Sequence, residues 1–150
     1  MINVLNAICE TIAKEFKQNP IYIDNLPKDF KRPSFYIELV NSRDEDLNST
    51  AQLREMSFQV MYFGERDDFD NVSTIELYSV WSILERIFYR ALKVDEEDYK
   101  KIDSTDFVIK DDILIMTLRL EFGYSIKDNN LTSHEVYELM RELRLKYSYK

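Results

Sequence analysis

Residues 113–124 carry Leu114, Met116, Leu118, Leu120, Phe122 and Tyr124 at every second position, alternating with Ile113, Ile115, Thr117, Arg119 and Glu121. A period of two held over that length predicts a long strand whose even-numbered face is core, because successive side chains of a strand point to opposite faces. Such a strand cannot stand alone and needs neighbours of the same kind. Residues 54–63 supply one, with Met56, Phe58, Val60 and Tyr62 against Glu55, Ser57 and Gln59. Residues 34–40 supply another, with Phe35, Ile37 and Leu39 alternating with Tyr36 and Glu38, and Pro33 ahead of them fits the start of a strand because it has no N–H to donate. Residues 21–23 form a shorter extended piece. A strand over 99–110 leads through Asp111-Asp112, a tight reversal, into 113–124.

Three segments carry the helical repeat instead. Ile2, Leu5, Ile8, Ile12 and Phe16 recur at three- and four-residue steps, up to the Asn19-Pro20 stop. Ser73-Thr74-Ile75-Glu76 has the form of a capping box, and Leu77, Val80, Trp81, Leu84, Ile87, Phe88 and Ala91 follow it with helical spacing. Thr132-Ser133-His134-Glu135 opens a last helix over 132–147, with Val136, Leu139, Met140, Leu143 and Tyr147 on its apolar side. The expected order is α-β-β-β-α-β-β-α. The fold class is α+β, a mostly antiparallel mixed sheet of about four to five strands with helices packed on one face, and residues 1–150 form one domain.

The polar run 41–52, with Asp44-Glu45-Asp46 at its centre, reads as a loop, mobile in the free subunit and ordered on binding. Its acidic core with the flanking Arg43 and Arg54 offers charge pairing to a neighbouring subunit. Lys28, Lys31 and Arg32 form a second polar contact surface. No other residue group singles itself out.

Reactive chemistry is thin. The chain has one histidine, His134, and one cysteine, Cys9, which lies beside the apolar stripe of the first helix and reads as a buried, inert thiol. A single cysteine rules out an internal disulfide and suits a reducing compartment. His134-Glu135-Val136-Tyr137-Glu138 places Glu138 where a zinc-protease helix needs its second histidine. The only glycines are Gly64 and Gly123, too few for a phosphate-cradling loop. None of the acidic clusters has calcium-loop spacing. The net charge of −8 argues against specific nucleic-acid binding, which relies on Lys and Arg against phosphate. No apolar run approaches the length of a membrane span. The expectation is therefore no enzyme, no cofactor and no metal.

The N-terminal helix, the 22–39 block with Phe30, Pro33 and Phe35, the Phe58-Gln59-Val60-Met61-Tyr62-Phe63 strand, the helix around Trp81 and the 113–124 strand, in that order, resemble the tail terminator or tail completion proteins of tailed bacteriophages and phage-tail-like particles. The helix over 132–147 is the part that resembles the family least, an addition peculiar to a subset of it. The resemblance implies a non-enzymatic ring protein, usually a hexamer, that caps the head-proximal end of the tail tube and ends its polymerisation. Its partners would be copies of itself, the tube, and sheath or head-connector proteins, with DNA passing through the ring. It implies assembly in the bacterial host cytoplasm and residence in the particle. A head-tail connector or minor capsid assembly protein, and a small-ligand module, are the alternative readings.

Overall fold

The computed structural model describes residues 2–125. The helix over 132–147, and with it His134, lies outside the described residues. The elements are α1 (Ile2–Glu15), β1 (Ile21–Ile23), β2 (Ser34–Asn48), β3 (Ala51–Phe63), α2 (Thr74–Ile87), β4 (Ala91–Lys93), β5 (Tyr99–Lys110) and β6 (Ile113–Ser125). They make an α+β fold around one six-stranded sheet in the order β1-β2-β3-β6-β5-β4. The sheet is mixed. β1 runs parallel to β2, and every other pairing is antiparallel.

Alternation decides which face is buried. Phe35, Ile37, Phe58, Val60, Leu114, Met116 and Leu118 are fully buried on one face, as the period of two requires. Both helices pack on that face, through Val4, Ala7, Ile8 and Ile12 of α1 and Leu77, Val80 and Leu84 of α2. Trp81 of α2 stacks on Phe107 of β5 with ring centroids 5.0 Å apart, and Phe16 and Tyr62 flank Phe35 at 4.8 and 5.0 Å. Stacked and tilted aromatic pairs of this kind contribute about 0.5–1.5 kcal/mol each beyond the area they bury.

Five expectations are corrected. The sheet has six strands rather than four or five, because β4 follows α2 directly. Ala91, assigned to the helical stripe, is an exposed strand residue, since α2 ends at Ile87 and Arg90 turns the chain with φ 67°. The α1 stripe is rotated, so that Val4 and Ala7 are buried while Ile2 is 67% exposed. The capping box does not close. Ser73 is the N-cap but its side chain makes no capping hydrogen bond, and Glu76 turns away to Tyr62.

The fifth correction is the largest. Residues 41–52 are not a loop: β2 continues to Asn48 and β3 starts at Ala51, paired from Asn41↔Ser57 to Asn48↔Ala51 with one register shift between Asp46 and Asn48. The chain reverses over two residues, where the Asn48 side-chain oxygen accepts from the Thr50 N–H at 2.8 Å. β6 extends along the same ribbon to pair Ser125 with Ala51. A bulge between Leu39 and Asn41 switches β2's alternation, so Ser42, Asp44 and Asp46 fall on the helix-side face and Asn41, Arg43 and Glu45 on the other. A segment whose backbone is hydrogen-bonded along its length in the free subunit is not a mobile loop.

Candidate functional site

The ribbon's helix-side face carries polar partners where the body of the sheet carries core. Asp44 and Arg54 are cross-strand partners joined by two hydrogen bonds, 2.7 Å from Arg54 Nε and 3.1 Å from Nη2. The Arg54 guanidinium also lies 4.7 Å over the Tyr124 ring and donates to its hydroxyl at 3.2 Å. Tyr124 in turn donates to Gln52, whose amide donates to Asp46 at 2.6 Å. The hydrogen bond from Arg54 holds the Asp44 carboxyl below its ordinary pKa, and Asp44 raises that of Arg54. Bidentate pairing of this kind sets register as well as contributing energy. Lys100 of β5 stands 4.5 Å over the Phe122 ring and 3.1 Å from Asp98. The Asp44–Arg54 pair, with the contacts of Arg54 to Tyr124 and of Lys100 to Phe122, thus links β2, β3, β6 and β5 beyond the end of the core.

The expected site residues do not form one cluster. Asp44, Asp46 and Arg54 are tied to one another on the helix side, while Arg43 and Glu45 are exposed on the opposite face of the same ribbon. Lys28 and Lys31 are exposed in the β1–β2 connection at the other end of β2, about 30 Å away at the usual rise per residue. Arg32 is not a free contact residue. It donates to the Gly64 carbonyl at 3.0 Å, and its guanidinium lies 5.1 Å from the Phe30 ring centre and 5.5 Å from that of Phe63. Burial and the neighbouring Arg66 lower its pKa. The expected three-residue cluster is two exposed lysines beside an arginine that closes the β1–β2 connection onto the end of β3.

Sequence reading missed the network around Glu76. Its carboxylate accepts from the Tyr62 hydroxyl at 2.7 Å and from the Glu65 N–H at 3.3 Å. Burial, then Glu76, pushes the Tyr62 phenol well above its ordinary range. Tyr62 sat on the apolar face by period, so only its hydroxyl could have signalled a partner. Cys9 is partly buried against the core, and burial raises its thiol pKa, which disfavours the reactive thiolate. Among the described residues no three His, Cys, Asp or Glu side chains stand close enough to hold a metal ion, and no helix is long and apolar enough to cross a membrane. The described clefts are shallow. One, between α1 and the β4–β5 turn, is lined by Asn3, Asn6, Glu10, Asp95 and Asp98.

What the geometry defines is a structural module: a sheet backed by two helices, with a paired arm running out from it. The sequence model of the phage tail terminator protein family matches residues 3–132, and the chain belongs to that family. Its place is accordingly among the structural components of the phage tail. No curated protein matches the chain.

Proposed function

We propose that the chain is the ring protein that caps the head-proximal end of a phage or phage-like tail tube and ends its polymerisation. The family assignment supports this reading, and the 41–52 ribbon is the structural observation that carries it. Every residue from 41 to 49 is exposed, yet the ribbon is paired along its length and locked by Arg54 and Tyr124. An ordered arm that adds little to its own core is suited to contact with another molecule, since its conformational entropy is already lost before binding.

On this reading the assembly is a homo-oligomeric ring, six-fold by family resemblance, and works without catalysis. Arg43 and Glu45 on the exposed face of the ribbon are contact residues, with Lys28 and Lys31 at the opposite end of the sheet. Residues beyond 132, past the end of the family match, are an addition to the terminator domain. The acidic balance of −8 suits a channel through which DNA slides without sticking. The experiment is tail assembly in the absence of the chain. Tubes should overgrow and lack heads, and added protein should restore their length. Tubes of normal length in its absence would refute the assignment.

A further inference from the structure

The two margins of the sheet are stepped, and the steps match. On one margin β1 covers β2 only at Phe35–Ile37, and the ribbon edge beyond is unpaired among the described residues. On the other margin β4 covers β5 only at Tyr99–Lys101, and the edge over 103–110 is unpaired among the described residues. Exposed edges of this kind invite pairing with another chain.

The register places the projecting strand of each margin level with the open stretch of the other. Ile21, Phe35, Tyr62, Leu114 and Ile109 stand in one row, so β1 is level with the open part of β5. Leu92 pairs with Lys100, which stands over Phe122, itself level with Arg54 and Asp44; β4 is therefore level with the open ribbon edge. Because β4 and β2 run the same way, Lys93 is level with Glu45. Both are exposed, and neither forms an ion pair among the described residues.

We propose that copies of this chain join head to tail through these margins, β4 of one copy and β1 of the next filling a single strand position between β5 and β2. The inference rests on the ring reading above and specifies its joint. Chemistry agrees at both levels. Tyr22 of one copy meets Val108 of the next, which is 52% exposed in the free subunit. That contact would extend the apolar row Tyr22, Tyr36, Met61, Ile115 and Val108 on the helix-free face from copy to copy. At the other level Lys93 meets Glu45. A two-fold joint of the ribbon edge with itself would instead set Asp44, Glu45 and Asp46 against their own copies. Unlike margins joined by rotation close into a ring, whereas a self-complementary margin stops at a dimer.

The test uses the exposed pair Lys93→Glu and Glu45→Lys in the full-length chain, with circular dichroism confirming that each variant folds. Each single variant sets like charges at every joint and should need about five-fold more protein to form rings. Mixing the two single variants should return assembly to the wild-type concentration, because alternating copies restore an opposite pair at every joint. Wild-type rings whose formation neither substitution weakens, or a mixture that fails to recover, would overturn the joint and leave the ring reading intact. Absence of wild-type rings even with tube ends present would overturn the ring reading, and the joint with it.

Discussion

The Tyr62 hydroxyl of β3 donates to Glu76 of α2 across 2.7 Å, and this bond takes the carboxylate that the capping-box sequence assigns to the start of the helix. The same carboxylate holds the Glu65 N–H, so one side chain fixes the chain as it leaves the sheet, at the helix start and at the strand end. Glu76→Ala leaves the buried phenol without its acceptor and should lower stability by about 1–3 kcal/mol, measured by urea unfolding. Glu76→Gln retains an acceptor and should cost less than half as much.

The same pair sets an alkaline limit. Tyr62's pKa is raised in the folded state from an ordinary value of 10.0. Above pH 10 the unfolded chain releases this proton while the folded chain keeps it, so the stability is complete below that pH and is lost as pH rises. Tyr62→Phe should therefore be less stable at pH 7 but show a shallower loss between pH 9.5 and 11, seen in thermal unfolding at each pH, with roughly one titrating group removed. Equal slopes would refute the assignment.

The two glycines should respond differently. A Cβ at Gly64 would lie 2.5 Å from Val72 Cγ1, whereas at Gly123 its nearest neighbour is the Gln52 carbonyl at 3.8 Å. Gly64→Ala should cost about 1–3 kcal/mol as a local overpacking. Gly123→Ala should leave the midpoint of unfolding unchanged or raise it, since a strand interior gains from losing a glycine. The ordering of the two midpoints is the check.

Asp111 and Asp112 join β5 to β6 with φ 51° and 61°, the left-handed geometry of a two-residue reversed turn. Replacing them by Asn-Gly should stabilise the protein by about 0.5–1 kcal/mol, because that pair adopts the geometry with less strain. A decrease in the unfolding midpoint would show that the aspartates contribute through their charge.

Periodicity made most of the body legible. Phe58, Met116 and Leu118 alternate because they face helices, and their spacing carried both the strand and its buried face. The ribbon escaped because its side chains face water on both sides. Alternation of apolar and polar residues reports burial, not strand geometry, and from Asn41 to Asp46 nothing is buried. A cross-strand charge pair such as Asp44 and Arg54, ten residues apart, looks in a sequence like any two charges. The bulge at Val40 erased what phase remained. β4 was hidden for a related reason: only Leu92 of its three residues is buried. The Lys28, Lys31 and Arg32 group read as one surface because charge is visible in sequence, while the packing of Arg32 between Phe30 and Phe63 is visible only in three dimensions.

Negative-stain microscopy of tails assembled with the full-length chain, compared with the purified chain alone, shows whether the chain forms a terminating ring. A closed ring, six-fold in end view, is expected on one end of each tube, and the same ring from the pure protein at high concentration. Tubes of normal length with bare ends, together with a chain that stays monomeric at every concentration, would contradict it.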